Sequence, residues 1–419
     1  MIKRWLISTL ASLHYFGNPS SNLNIVGITG TNGKTTTATL LYKIATELGY
    51  KSGLISTVEN IIVNEKRDTI NTTPGPIVLN KLFKEMVEKG CEYVFMEVSS
   101  HALDQKRVAG IDFVGGIFTN LTHDHLDYHK SFENYFLAKK KFFQMLSSDA
   151  FALSNRDDQY GEKIIKDIKA KKYLYGFNVG AELLKGSSAP TEYFQGEIKK
   201  IDFNGLELLF NNEAYLPAGR QVKSKLLGKF NAYNLLAVWS TCKLLGFDME
   251  KVAKILEDIK PPTGRFDHFI SESGVLGIVD YAHSPDSLKN VLLTINEIKN
   301  SESKVICLFG CGGDRDPLKR RIMGKIGAEL SDVPIFTSDN PRSEDPDKII
   351  SEMKTDLSVS ESQKIKIISN RKDAIIESTK IAKSGDIILL AGKGHEDYQE
   401  IKGVKHHFND MEELKNNLK

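Results

Sequence analysis

The sequence has no marked excess of either charge and no long hydrophobic run. Its 56 basic and 54 acidic residues leave a formal net charge of +2, which gives no global field to attract nucleic acid or an anionic membrane. No run approaches the roughly 18 apolar residues of a membrane span, and residues 1–13 have too short an apolar stretch for a secretion signal. We therefore expect small-molecule partners, neither nucleic acid nor a membrane, and a cytoplasmic location.

Cysteine is scarce as well. The four cysteines are Cys91, Cys242, Cys307 and Cys311. Most of them stand within apolar runs, and Cys307 and Cys311 lack the close pairing of zinc or redox motifs. The pattern predicts reduced thiols, as in a cytosolic protein.

What the sequence does contain is a glycine turn at residues 25–36, which read IVGITGTNGKTT. An apolar strand precedes the turn and a helical pattern follows it, so backbone N–H groups and a helix N-terminus converge where a triphosphate binds well. We expect Lys34 to reach the outer phosphates and the Thr35 hydroxyl to bind Mg²⁺. Ile28 stands where the common G-x-x-x-x-G-K-[ST] pattern has glycine. A glycine-rich turn of another doubly wound protein is the alternative.

Apolar β-rich runs alternate with helical ones on both sides of a break at residues 261–264, which read PPTG. The alternation predicts an α/β chain with βαβ units and a largely parallel sheet, in which a central P-loop, doubly wound domain precedes a smaller Rossmann-like C-terminal domain. The expected domains are residues 24–261 and 262–419, after a connector or remnant at 1–23 with a short helix at 2–15. Residues 215–221 are predicted to be a surface insertion without an assigned function.

Polar residues follow two further predicted strands. Glu97 comes after the strand at 93–96, where P-loop proteins keep an acid for Mg²⁺. After the strand at 116–119, residues 122–129 read THDHLDYH. The carboxyl edge of a doubly wound sheet is where ligands bind, so we expect metal or phosphate contacts there. A zinc site built from His123, His125 and His129 is one alternative, and ordinary turn residues are another.

The resemblance to a known family rests on motifs spread along the chain. In order they are TGTNGKTT, NTTP, EVSSHALDQKRV, NLTHDHLDYH, AKKKFF, NRDD, GKFNAYN, GRFD, DYAHSPDSL, FGCGGDRDPLKR, SDNPRSEDP and AGKGHEDYQ. With these motifs the chain resembles the Mur ligase family, and in particular its diaminopimelate-adding members.

The resemblance implies roles for individual residues. The expected catalytic residues are Lys34, Glu97, His125 and Lys139, and the expected metal ligands are Thr35, Glu97, His125 and Lys139 as a CO₂-derived carbamate. The expected ATP contacts are Gly30, Thr31, Asn32, Gly33, Lys34, Thr35, Thr36, Asn155, Asp158, Asn231, Asn234, Arg265, Asp280 and His283. The muramyl-dipeptide substrate would contact Thr72, Thr73, Ser99 and Arg107. The amino-acid pocket would comprise Arg315, Asp339, Asn340, Arg342, Gly392 and Glu396.

Two of these assignments depend strongly on the resemblance. By itself, Lys139 would be interpreted as an exposed lysine in the charge run 139–141, and Asp339, Asn340 and Pro341 as a common turn. In the family the Asp-Asn-Pro-Arg form accompanies diaminopimelate, and two guanidiniums with a carboxylate suit its two carboxylates and two ammonium groups.

The implied activity is ATP- and Mg²⁺-dependent amide ligation through an acyl phosphate, in peptidoglycan precursor synthesis, by a monomer. Relatives place a uridine-binding domain before the glycine turn, where this sequence has about two dozen residues. A truncated sequence, a separate uridine-binding domain or protein, and a smaller muramyl substrate are the three explanations. The alternative functions are a nucleotide-binding regulator without ligation activity and a folate polyglutamate-type ligase.

Overall fold

The computed structural model describes residues 16–67, 69, 71–122, 124–178, 192–211 and 219–418. Contacts divide the chain into two compact units, Met1–Lys260 and Pro261–Lys419. The helix predicted over residues 2–15 and residues 215–218 of the predicted insertion lie outside the described residues. Within the described ranges, every helix falls short of the length and apolar character that a membrane crossing requires.

One large sheet occupies the first unit. Its described strands are β1 (Asn24–Thr29), β2 (Ser52–Ile55), β3 (Asn60–Ile62), β4 (Glu65–Arg67), β5 (Tyr93–Glu97), β6 (Gly115–Phe118), β7 (Phe151–Asn155), β8 (Lys171–Gly176), β9 (Glu192–Asp202), β10 (Gly205–Asn211) and β11 (Arg220–Ser224). Their order is β11-β10-β9-β8-β7-β6-β1-β5-β2-β3-β4. The neighbours from β9 to β2 pair in parallel, which confirms the predicted parallel sheet. Antiparallel hairpins extend both ends, an addition that the alternation did not predict.

Helices cover both faces of this sheet. They are α1 (Lys34–Glu47), α2 (Pro76–Glu88), α3 (Ser100–Asp104), α4 (Leu126–His129), α5 (Phe132–Gln144), α6 (Gly161–Ile164), α7 (Lys229–Leu244) and α8 (Met249–Asp258), with a 3-10 helix at Pro19–Asn22. Side chains alternate along a strand, so Val26 and Ile28 of β1 pack in one core with α1 and α7. Ile25 packs in the opposite core with α2 and α5. Burial on both faces explains why β1 is a nearly continuous apolar run.

The second unit contains a smaller sheet with the order β12-β13-β17-β14-β15-β16 and a separate hairpin, β18–β19. The strands are β12 (Asp267–Ile270), β13 (Leu276–Asp280), β14 (Val305–Phe309), β15 (Val333–Phe336), β16 (Lys366–Ile367), β17 (Ile387–Ala391), β18 (Tyr398–Ile401) and β19 (Val404–His407). The helices are α9 (Pro285–Ile298), α10 (Leu318–Leu330), α11 (Pro346–Met353), α12 (Val359–Lys364), α13 (Arg371–Ile381) and α14 (Asp410–Asn417). Apart from β12, which is antiparallel to β13, the six strands pair in parallel. The carboxyl ends of β13, β14, β15 and β17 therefore meet at one edge.

Candidate functional site

The glycine turn after β1 is held by the loop that follows β6. The Thr31 amide donates to the Asn120 carbonyl at 2.8 Å, and the Asn32 amide donates to Asn120 Oδ1 at 2.9 Å. The Thr119 hydroxyl in turn donates to the Asn32 carbonyl at 2.6 Å. These bonds fix the turn before α1.

The turn requires glycine at position 33, because a larger residue would not fit there. Gly33 has φ 85° and immediately precedes α1, and a Cβ there would come within 2.5 Å of Asn234 Oδ1 on α7. Asn234 Nδ2 donates to Asn231 Oδ1 at 3.0 Å, and both side chains are buried. Tertiary packing thus brings the sequence-predicted Asn231 and Asn234 to the turn from about two hundred residues away.

Asn155 and Asp158 lie near the same loop. Asn155 Nδ2 donates to the Thr119 carbonyl at 2.8 Å, and Asp158 Oδ2 accepts from the Leu121 amide at 2.9 Å. Burial raises the pKa of Asp158. Both residues therefore shape the carboxyl edge of the sheet through their contacts with the loop after β6.

Two lysines converge on the turn. Lys34 Nζ donates to the Gly30 carbonyl at 3.0 Å and to the Thr31 carbonyl at 2.8 Å. Lys139 Nζ, from α5, donates to the same Gly30 carbonyl at 2.7 Å and lies 4.7 Å from the centroid of the Tyr135 ring. Lys139 is 1% exposed. Burial, followed by the nearby charge of Lys34, lowers the pKa of Lys139.

The interpretation of residues 139–141 as a solvated helix face is therefore wrong for Lys139. Lys140 is half-buried and Lys141 is exposed, with Lys141 Nζ 3.2 Å from Asp104 Oδ1. Successive helical residues are rotated by about 100°. Lys139 alone of the three consequently falls on the side of α5 that packs into the first unit.

The histidine-rich loop is only partly described. His125 has φ 54°, its ring centroid lies 4.9 Å from that of His101, and burial lowers its pKa to about 4. His129 Nε2 lies 3.0 Å from the Ser100 hydroxyl. His123 lies outside the described residues, and among those described no group of three or more His, Cys, Asp or Glu could hold a metal ion.

Glu97 lies at the carboxyl end of β5 and is 1% exposed. Its Oε1 accepts from the Thr57 amide at 2.8 Å and its Oε2 from the Thr57 hydroxyl at 3.2 Å. Sequence reasoning missed Thr57, although it follows β2, the parallel neighbour of β5. Mg²⁺ binds one or two protein carboxylates together with phosphate and water oxygens, so the hard oxygens of Thr35 and Glu97 suit it better than they suit zinc.

A third group surrounds Thr73. Its hydroxyl donates to the Glu97 carbonyl at 2.8 Å and accepts from the Ser99 amide at 3.0 Å. Arg107 Nη1 donates to the Thr73 carbonyl at 2.8 Å, while its Nη2 donates to Gln105 Oε1 at 2.6 Å. Thr72 is linked through the Thr57 hydroxyl at 3.0 Å. The four predicted muramyl-dipeptide contacts are thus brought together; Gln105 was missed, although it stands in the same motif.

In the second unit, residues near the end of β13 form a polar and aromatic cluster. Asp280 Oδ2 accepts from the Phe266 amide at 2.7 Å, and burial raises the pKa of Asp280 to about 6. The Arg265 guanidinium lies 4.7 Å from the Tyr281 ring centroid, and the rings of His283 and His395 lie 4.5 and 5.0 Å from that ring.

Two buried nitrogens of this cluster, Arg265 Nε and His395 Nδ1, have no hydrogen-bond partner among the described residues. A buried polar atom without a partner is costly, so the cluster suits a polar ligand such as a nucleotide. Sequence reasoning missed His395. Its position in the loop after β17 could have indicated it, because β17 is the parallel neighbour of β13 and the two strands end at the same edge of the sheet.

The predicted amino-acid pocket lies where β15 and β17 end. Asn340 Nδ2 donates to Glu396 Oε2 at 2.7 Å, and Arg342 Nη1 donates to the Gly313 carbonyl at 2.7 Å. Gly392 has φ 114°, and a Cβ there would come within 2.6 Å of Asp339 Oδ2. Five predicted residues are thereby brought together: Asp339, Asn340, Arg342, Gly392 and Glu396. Arg315 is exposed on the neighbouring loop after β14.

The sequence of each unit matches the model of a known protein family. The model of the Mur ligase middle domain matches residues 28–242, and that of the Mur ligase, glutamate ligase domain matches residues 264–394. Together the two matches cover more than half of the chain.

Named relatives align over nearly all of it. A protein of Parabacteroides distasonis named UDP-N-acetylmuramoyl-L-alanyl-D-glutamate–2,6-diaminopimelate ligase is 49% identical over 401 residues, which are 96% of this chain and 79% of the relative. Its namesake in Cytophaga hutchinsonii is 49% identical over 95% of this chain and 78% of its own.

Solved structures agree. A structure of the same named ligase has a TM-score of 0.65 and 32% identity, covering 94% of this chain and 78% of its own. A folylpolyglutamate synthase of Thermotoga maritima has a TM-score of 0.68 over 92% of this chain and 89% of its own. At 16% identity the second likeness shows only a shared fold.

Proposed function

The chain belongs to the Mur ligase family, and we propose that it uses ATP to join meso-diaminopimelate to UDP-N-acetylmuramoyl-L-alanyl-D-glutamate in peptidoglycan precursor synthesis. The observation that carries this function is the 49% identity, over 96% of the chain, to a ligase of that name. Mur ligases depend on ATP and Mg²⁺, and the donors around the glycine turn suit both.

In the proposed nucleotide site, the glycine turn and the N-terminus of α1 surround the phosphates. Lys34 donates to two carbonyls of that turn, and its ammonium would bind an outer phosphate. Thr35 and Glu97 would hold Mg²⁺, which offsets phosphate charge when bound, with His125 as a further ligand. Adenine and ribose would lie near Asn155, Asp158, Asn231 and Asn234. Arg265, Asp280 and His283 stay predicted nucleotide contacts.

Lys139 is proposed to carry a carbamate. Its Nζ would attack the carbon of CO₂ and release a proton, which requires the neutral amine. The burial that lowers the pKa of Lys139 favours that neutral form. The resulting anion would lie beside Lys34 and the Gly30 carbonyl, where it could support a metal-binding group.

The proposed chemistry starts at the D-glutamyl γ-carboxylate. Thr72, Thr73, Ser99 and Arg107 would hold the dipeptide so that one carboxylate oxygen attacks the γ-phosphorus of ATP and ADP leaves. The amine of diaminopimelate then attacks the acyl-phosphate carbonyl, loses a proton and expels phosphate. Asp339 and Glu396 would bind an ammonium group, and Arg315 and Arg342 a carboxylate.

Phosphate release by the purified chain tests this function. With ATP, Mg²⁺ and the UDP-linked dipeptide, release is expected to require meso-diaminopimelate and to be much slower with L-lysine. Phosphate release with a folate and glutamate instead, or ATP binding without any release, would contradict the proposal. Action as a monomer, a cytoplasmic location and recognition of uridine by a separate domain or protein stay predictions, and sedimentation with and without the UDP-linked dipeptide tests the first.

A further inference from the structure

Lys393, in the loop after β17, is a buried lysine with no assigned role. It is fully buried, and it directly follows Gly392 of the proposed amino-acid pocket. Its ammonium donates to the Tyr398 carbonyl and lies 5.4 Å from the centroid of the Tyr398 ring. A buried ammonium is retained only where other groups compensate its charge, so its remaining contacts indicate what it serves.

Those contacts are two residues of the proposed pocket. Lys393 Nζ lies 3.4 Å from Asn340 Oδ1 and 3.4 Å from Glu396 Oε2. Asn340 Nδ2 donates to the same Glu396 oxygen at 2.7 Å. Lys393 therefore joins the loop after β15 to the loop after β17 through one side chain from each.

The geometry also distinguishes the two oxygens of Glu396. Both neighbouring donors, Asn340 Nδ2 and Lys393 Nζ, reach Oε2. No described residue donates a hydrogen bond to Oε1. Burial, followed by the charge of Asp339, raises the pKa of Glu396, so this carboxylate needs a nearby cation to stay charged.

We propose that Lys393 is a positioning residue that orients Asn340 and Glu396, so that Glu396 presents Oε1 to an ammonium group of the incoming amino acid. This inference rests on the proposed function. The Asn340 Oδ1 that Lys393 contacts also accepts from the Glu400 amide, at 2.9 Å. Without Lys393, the Glu396 side chain would keep one protein donor and could rotate.

The test compares the Michaelis constants of the full chain for its three substrates, with and without a substitution at Lys393. For Lys393→Met we expect KM for meso-diaminopimelate to rise about tenfold, with KM for ATP and for the UDP-linked dipeptide within about twofold of wild type. A purely structural lysine would change all three constants together. If Lys393→Met fails to fold, Lys393→Gln, which retains a donor, is measured by the same ratio.

Lys405→Met is the matched control. Lys405 Nζ lies 4.0 Å from the same Tyr398 ring centroid, but Lys405 is exposed. It has no described contact with Asn340 or Glu396, so its three Michaelis constants should stay at wild-type values. A double variant, Lys393→Met with Glu396→Gln, should raise KM for diaminopimelate no further than Glu396→Gln alone, since the lysine acts through that carboxylate.

The outcomes separate the two claims. Wild-type chain without diaminopimelate-dependent phosphate release would contradict the proposed function itself. Active wild type, with an unchanged KM for diaminopimelate in the Lys393 variant or fully additive effects in the double variant, would overturn only the positioning role.

Discussion

Each of the two units buries a lysine against a tyrosine ring, but the surroundings of the two lysines differ. Lys139 of the first unit lies over Tyr135 and donates to a backbone carbonyl, and burial lowers its pKa. Lys393 of the second unit lies over Tyr398 and reaches the Glu396 carboxylate. The first setting favours a neutral, reactive amine, whereas in the second the lysine contacts Asn340 and Glu396 and so orders its neighbours.

The second unit contains another buried charge pair near the same pocket, and breaking it should have the largest effect. Arg371 and Asp410 are both fully buried, and Arg371 Nη2 also donates to the Ala391 carbonyl at 3.1 Å. Arg371→Met should lower the free energy of unfolding by about 3–5 kcal/mol, since it leaves Asp410 buried without its cation. Denaturant unfolding followed by circular dichroism measures it.

The exposed pair Arg220–Glu250, whose atoms approach to 2.6 Å, is the control for that variant. Arg220→Met should change the free energy of unfolding by less than about 1 kcal/mol. If Arg371→Met and Arg220→Met lowered the free energy of unfolding equally, burial would not explain the contribution of the Arg371–Asp410 pair to stability.

On the first-unit side of the comparison, Lys34→Ala should lower kcat for phosphate release by about 100- to 1000-fold, because it removes charge stabilisation at the phosphates. Lys43→Ala is the control on the same helix, since Lys43 Nζ donates to the Lys260 carbonyl at 2.9 Å, away from the glycine turn. Activity of Lys34→Ala within tenfold of wild type would contradict its role.

A smaller loss is expected for Lys139→Met, about 10- to 100-fold in kcat, because a carbamate there would act only by supporting the metal site. Lys140→Met, at the half-buried neighbouring position, should keep wild-type activity. Carbon-13 NMR with labelled CO₂ should show a carbamate signal in the wild type and in Lys140→Met. Its presence in Lys139→Met would refute the assignment.

A pH-dependent effect is expected for a buried carboxyl in the second unit. Burial raises the pKa of Asp280 to about 6, above the roughly 3.9 of a free aspartate, so the folded state favours the protonated form. This contribution to stability is present at low pH and is lost as pH rises through about 6. Relative to wild type, Asp280→Asn should therefore gain about 2 kcal/mol in free energy of unfolding between about pH 4 and 7.

Thermal or denaturant unfolding of the two proteins across that pH range measures the difference. Parallel stability curves for wild type and Asp280→Asn would show that Asp280 ionises as freely in the folded chain as in the unfolded one. The comparison between the two units would then depend only on Lys139 and Lys393.

Sequence reasoning predicted the family, the α/β fold and the parallel core of the first sheet. It missed Thr57, Gln105 and Lys393, which contact predicted site residues, and His395, whose ring lies beside that of Tyr281. Each of these is a polar residue in or beside a loop, and such residues carry no periodic signal. Thr57 illustrates the difficulty, because only the pairing of β2 with β5 brings it to Glu97.

The sequence by itself determined the glycine turn, the alternation of strands and helices, and the family, because these depend on local backbone requirements and on the order of motifs along the chain. Tertiary structure alone decided which lysine of residues 139–141 is buried and which oxygen of Glu396 accepts from Asn340. The reason is physical: burial and hydrogen-bond partners belong to pairs of surfaces, and one segment of sequence specifies only one member of each pair.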